Sequence, residues 1–154
     1  MPILDDPKTL LQFIEPGQKL MGLDLGTKTI GLAVSDTMFK IATPLETIKR
    51  SKFTKDTQSL RAIEETHNIG ALVIGLPLNM DGSEGPRVQA SRAFARNLLQ
   101  QKDQPIVFWD ERLSTSAVTR TLIDADMSRA KRADLVDKMA AGYILQGVLD
   151  LLNN

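Results

Sequence analysis

Four acidic residues stand where solubility does not call for them: Asp24, Asp110, Glu111 and Asp137. Asp24 interrupts the apolar run Met21-Gly22-Leu23-Asp24-Leu25, and an ionised carboxylate is costly to bury alone in a strand. Asp110 and Glu111 close the run Ile106-Val107-Phe108-Trp109. Neighbours in a strand point to opposite faces, so one of the two faces the first strand and the other does not. Asp137 shares a helical stripe with Ala140, Ala141, Ile144 and Val148. Each acid has an ordinary reading by itself. Asp24 fits a turn or cap, Asp110-Glu111 a solvated strand end, and Asp137 the dipole of a first helical turn. Jointly, two strand ends and one helix start can converge above a sheet. Converging carboxylates repel one another unless a cation lies among them, and a donor set of oxygens alone suits Mg²⁺ or Mn²⁺. Two such ions about 3.5–4 Å apart activate water and stabilise a leaving oxygen in phosphodiester hydrolysis.

The composition agrees with that chemistry. The chain has 154 residues, no cysteine and a single histidine, His67. A disulfide framework, thiolate zinc and thiol catalysis are excluded, and a Ser-His-Asp triad is disfavoured. Nineteen Lys and Arg balance nineteen Asp and Glu, for zero net charge, which argues against attachment to nucleic acid by bulk charge. The bases are clustered, however. Five basic residues and one acid lie between Lys49 and Arg61, and four bases and no acid between Arg87 and Lys102. Five bases and two acids lie between Arg112 and Arg132, ending in Arg129, Lys131 and Arg132. No apolar run reaches the roughly 20 residues of a membrane span. The N-terminus does not read as a signal peptide, which makes the cytoplasm the expected compartment.

The elements that must position these residues follow from periodicity. Asp6-Pro7 begins a short capped helix ended by Pro16-Gly17, so residues 1–17 read as a helical extension of a core spanning 18–154. Lys19–Leu25 and Ile30–Ser35 form a hairpin through Gly26-Thr27-Lys28-Thr29, and residues 44–50 a third strand. An amphipathic helix from Phe53 to His67, a buried strand at Ala71–Leu76 and a loop at Pro77–Gly85 come next. A helix at Pro86–Gln101 and a strand at Ile106–Trp109 precede a helix capped by Ser114 that runs to about Asp124. Residues 125–132 read as a polar, basic loop, and Asp134–Leu152 as the last helix. The order β-β-β-α-β-α-β-α-α predicts an α/β domain, a mixed five-stranded sheet with helices on both faces.

The segment Gly22-Leu23-Asp24-Leu25-Gly26-Thr27-Lys28 has glycines for a tight turn and for close approach of a phosphate to backbone N–H groups. It is neither a Walker A loop nor a dinucleotide fingerprint. GLDLGTKTIGLAVSD (22–36), VIGLPLNMDGSEGP (73–86), DERLST (110–115) and DLVDKMAAGYIL (134–145) together resemble the YqgF/RuvX family. Its members are Holliday-junction-resolvase-like proteins, also described as pre-16S rRNA nucleases. The resemblance covers about residues 19–152. It implies an RNase H-like fold, a cytoplasmic location and a divalent-metal nuclease that matures the 5′ end of 16S rRNA.

The same resemblance implies that Asp24, Glu111 and Asp137 are both catalytic residues and ligands of Mg²⁺ or Mn²⁺, with Asp24 shared by two ions. Cleavage would leave 5′-phosphate and 3′-hydroxyl ends. Lys28, Arg112, Lys131 and Arg132 would hold flanking phosphates, and Asn79, with Asp81 and Gly82, would shape the cleft edge. The expected partner is nucleic acid: pre-rRNA first, with a ribosomal precursor particle and branched DNA as further partners, and no membrane. His67, Phe108 and Trp109 read as structural. Three rival functions have distinct signatures: Holliday junction resolution on DNA, a non-catalytic nucleic-acid-binding module, and an ATP-binding actin-like or sugar kinase domain. The last shares an Asp-x-Gly-Thr loop but needs two related domains.

Overall fold

The computed structural model describes residues 3–113 and 129–154, and side chains over 3–113 and 138–154. The first element is a 3-10 helix, Pro7–Phe13, capped by Asp6, whose side chain accepts a hydrogen bond from Lys8 N. Then follow β1 (Lys19–Leu25), β2 (Thr29–Ser35), β3 (Ala42–Lys49), α1 (Phe53–Thr66), β4 (Ile69–Leu76), α2 (Pro86–Gln101) and β5 (Ile106–Asp110). A 3-10 turn, Glu111–Leu113, follows β5, and the last helix, here α3, is Arg129–Leu152. The helix expected from Ser114 lies outside the described residues.

The five strands form one sheet in the order β3-β2-β1-β4-β5. β1 is antiparallel to β2 and parallel to β4, β2 is antiparallel to β3, and β4 is parallel to β5. Period two sends alternate residues to the two faces. Met21, Leu23, Leu72, Ile74 and Ile106 meet Leu60 of α1 and Phe94 and Leu98 of α2. Leu20, Ala71, Val73 and Val107 meet Ala141, Ile144, Leu145 and Val148 of α3. Helices thus cover both faces, as the element order predicted.

The N-terminal segment packs against this core. Leu4 bridges Val107 beside β5, with Leu4 N donating to Ile106 O at 2.8 Å. Leu10 is fully buried in the α3 layer.

One boundary differs from the sequence expectation. Residues 129–133 do not continue a loop; α3 begins at Arg129. Arg129, Ala130, Lys131, Arg132 and Ala133 are all good helix formers, so propensity carries the helix upstream of Asp134. Lys131 and Arg132 therefore belong to helical backbone, and Asp137 lies eight residues into α3, about 12 Å from its start. The helix dipole acts within the first turn, so it does not account for Asp137.

The path of α3 is set by contacts along β3. Gly142 packs on Pro44, Gln146 accepts from Ala42 N and donates to Lys40 O, and Asn153 donates to Phe39 O. Rising numbers on α3 meet falling numbers on this side of the sheet. α3 is therefore antiparallel to β3, and hence to β1, β4 and β5, which all run the same way. Its N-terminal half lies toward the C-terminal ends of these strands.

Close packing at Gly22 makes this possible. A Cβ there would stand 2.8 Å from Leu145 Cβ and 2.9 Å from Ala141 O. The second of these is helix backbone and cannot swing away. Gly22→Ala is expected to lower stability by about 1–3 kcal/mol through overpacking. The check is a lower urea midpoint at unchanged denaturant slope.

Candidate active site

Asp24 is 7% exposed near the end of β1. It alternates with Leu20 and Gly22, both on the α3 side, so it belongs to that face. The turn that follows is tight: Gly26 N donates to Thr29 O at 2.9 Å, and a Cβ on Gly26 would stand 2.9 Å from that same oxygen. The glycines expected to admit a phosphate have other roles here. Gly22 admits α3, and Gly26 closes the turn.

Glu111 comes to the same face from β5. A Cβ on Gly75 would stand 2.9 Å from Glu111 Cγ, 3.1 Å from Glu111 Cδ and 2.5 Å from Ile144 Cδ1. The missing side chain of Gly75 is thus the space into which Glu111 folds, against α3. Leu23 pairs with Ile74, so Gly75 stands beside Asp24 on the neighbouring strand. The pleat alone left Asp110 and Glu111 open; the contact with Gly75 selects Glu111 as the acid on the face of Asp24. The backbone of α3 places Asp137 one turn before Ala141, toward the strand ends that carry Asp24 and Glu111. Its side chain, like those of Lys131 and Arg132, lies outside the described residues. Among the described residues, no group of three acidic or imidazole side chains is gathered. Asp24 and Glu111 are the two predicted ligands whose side chains are described, and both offer oxygen donors.

Asp110 has a different task. Its carboxylate receives Arg112 Nε at 3.0 Å, Nη2 at 2.6 Å and Arg112 N at 3.0 Å. Arg112 Nη1 donates to Met80 O at 3.2 Å. The pair ties the β4–α2 loop to the turn that carries Glu111. Arg112, expected to hold a phosphate, has these contacts already. The hydrogen bonds from the Arg112 side chain hold the Asp110 carboxyl below its usual range, and Asp110 in turn raises Arg112. Asn79 is likewise engaged: Asn79 N and Nδ2 donate to Ser83 O and Oγ, and Asn79 O accepts from Gly82 N. Asp81 accepts from the Ser83 hydroxyl and backbone N, which lower its pKa. Lys28 is exposed at the β1–β2 turn, with its backbone O accepting from Arg50 N at 2.8 Å.

The residues read as structural are so placed. His67 is the C-cap of α1. Trp109 lies against Gly147 of α3, and Phe108 packs with the core of the opposite face. Sequence reasoning gave no role to the Asp110–Arg112 pair or to Gly75. The i,i+2 spacing of opposite charges at a strand end was the available sign of the first.

Comparison with solved structures defines the class of fold. Over 87% of this chain and 94% of the other, the chain superposes with TM-score 0.51 at 12% identity on Thermus thermophilus RuvC in complex with a Holliday junction substrate. A second Thermus thermophilus RuvC structure gives TM-score 0.50 at 12% identity, over 88% and 97% of the two chains. The fold is RNase H-like. A family model described as RuvX, Holliday junction resolvase, matches residues 18–151. The chain is 66% identical over 139 residues to a protein of Methylocella silvestris, covering 90% of this chain and 86% of the other. It is 60% identical over 150 residues to one of Paramagnetospirillum magneticum, covering 97% and 96%. Both relatives carry the name "Putative pre-16S rRNA nuclease". The chain belongs to the RuvX family, and is a nuclease, a hydrolase of phosphodiester bonds. No helix among the described residues is long and apolar enough to cross a membrane.

The Asp110–Arg112 pair gives a pH prediction. The folded-state pKa of Asp110 is lowered from 3.8. Its contribution is therefore fully present above the unfolded value and lost as pH falls through the folded one. Arg112→Ala is expected to lower stability slightly at pH 7, as for other solvent-screened pairs. In urea titrations of both proteins from pH 7 to pH 2 the stability difference is expected to narrow toward the acid end, as Asp110 is protonated.

Proposed function

We propose that this nuclease cleaves the 5′ precursor segment of 16S rRNA, with Asp24, Glu111 and Asp137 as the ligands of Mg²⁺ or Mn²⁺. The observation that carries the site is the placement of two carboxylates on one face at the C-terminal ends of β1 and β5. The substrate reading rests on the names of close relatives. The fit to a divalent cation rests on the donors. Asp24 is buried, Glu111 folds into the space above Gly75, and both present carboxylate oxygen. Such ions supply an activated water and charge stabilisation at the leaving oxygen. The protein's own residues arrange the site. Gly75 leaves room for the Glu111 side chain, and the Asp110–Arg112 pair fixes the turn that bears it. The backbone of α3 carries Asp137 toward the same end of the sheet. The exposed Lys28 and the basic start of α3 would receive phosphates flanking the cut, sparing the acids from meeting the strand alone. We assign the protein to the cytoplasm, where precursor rRNA is found.

A second reading has one observation in its favour, the family model's own description as a Holliday junction resolvase. It predicts paired cuts on opposite strands of a four-way junction and hence a dimer. Cleavage of precursor rRNA and of a four-way junction should be compared with the same preparation. The proposal expects metal-dependent cleavage of the RNA and its loss in EDTA. Asp24→Asn, Glu111→Gln and Asp137→Asn are each expected to reduce the rate by more than about 100-fold, beyond the usual cost of an outer-shell partner. Wild-type rates in Asp24→Asn and Asp137→Asn would sink the metal reading, and cleavage of the junction alone would move the substrate to DNA.

A further inference from the structure

On the other face of β1, beside the turn that follows Asp24, lies a cavity of about 180 Å³. Arg50 from the end of β3 and Arg87 from the first turn of α2 both line it. Arg50 Nη1 donates to Gly26 O at 2.6 Å, and Arg87 Nη2 donates to Leu25 O at 2.9 Å. Two guanidiniums are thus held on successive carbonyls of one strand end. The Arg50 guanidinium is also held over the Phe94 ring, 5.7 Å from its centroid.

No carboxylate lines the cavity. Three other described arginines differ. Arg61, Arg92 and Arg112 each have an acid at 2.6–2.8 Å. Among the described residues, neither Arg50 nor Arg87 has an acidic partner. Each guanidinium has five N–H donors in a planar fork, of which the carbonyl takes one. Two like charges at one cavity repel, and a bound anion removes that cost. A phosphodiester matches the planar donors and the cavity size.

We propose that Arg50 and Arg87 form a phosphate subsite for the substrate strand, apart from the carboxylate centre. The inference rests on the nuclease reading above. Asp24 and Gly26 are about 7 Å apart along the strand, so the subsite takes a phosphate one or two nucleotides from the bond that is cut. A strand crossing the C-terminal rim of the sheet would contact the carboxylates on one face and the two arginines on the other.

The test is binding of a single-stranded RNA oligonucleotide by fluorescence anisotropy, in full-length Asp24→Asn protein so that the strand stays intact. The variants are Arg50→Gln with Arg87→Gln, and separately Ala90→Glu. Ala90 is exposed on the cavity wall, so the second variant adds a carboxylate without removing any hydrogen bond and keeps the test sound if the first fails to fold. Each is expected to weaken binding about tenfold or more at 150 mM salt. The double variant should also flatten the slope of log affinity against log salt by about 1.4, two single-strand contacts. Lys8→Gln, on the N-terminal helix, removes one charge elsewhere and should leave affinity and slope unchanged. Unchanged affinity and slope in both cavity variants would overturn the subsite. Loss of ATP affinity with RNA affinity intact would make the cavity a nucleotide pocket instead, and would also overturn it. Failure of the nuclease reading shows separately, as no cleavage of RNA or junction by the wild-type protein, and failure of the carboxylate site as wild-type cleavage by Asp24→Asn.

Discussion

The contact between α3 and β1 at Gly22 governs the geometry of everything around it. Leu145 Cβ and Ala141 O occupy the space a side chain would take. That approach seals one face of the sheet with Ile144, Leu145 and Val148. It also fixes which end of α3 lies near which end of the strands. Because α3 runs against β1, β4 and β5, its N-terminal half and the strands' C-terminal ends meet at one rim. Acids from three distant stretches of chain are brought to that rim by apolar packing, with no attraction between them.

Electrostatics explains why the rim stays ordered. Beside Asp24 and Glu111 stands a tied pair, Asp110 with Arg112, that also holds Met80 O. The loop between β4 and α2 is closed internally by Asn79, Asp81 and Ser83. The turn bearing Glu111 is therefore fastened on both sides before any substrate arrives. The proposed metal site would need positioning of this kind, since a misplaced ligand weakens the ion and the water it orients.

The balance of charge has the same origin. Zero net charge is an average over unlike patches: α2 carries Arg87, Arg92 and Arg96 and no acid, whereas the ends of β1 and β5 carry Asp24, Asp110 and Glu111. Arg61, Arg92 and Arg112 each neutralise an acid, and Arg50 and Arg87 at the end of β1 donate to backbone carbonyls instead. A protein can thus be neutral as a whole and still offer a nucleic-acid strand a local positive path.

The sequence alone determined most of the fold. Period two in the strands and period 3.6 in the helices are local properties, and five strands and α1 and α2 begin and end close to where the patterns place them. Asp24 was legible because an acid in an apolar run is anomalous on its own terms. The start of α3 was misjudged because basic residues suit a loop and a helix equally, and helix propensity decided. The family resemblance names Glu111 over Asp110, but the physical reason for that choice lies in the tertiary structure. Alternation says that they diverge, but which of them meets Asp24 depends on Gly75 on another strand and on α3 above it. Arg50 and Arg87 were counted in the sequence as members of two basic stretches. Their meeting at Leu25 and Gly26 depends on β3, α2 and β1 coming together. Contacts between residues far apart in the chain leave no periodic trace, so the sequence could name the groups and only the packed sheet could pair them.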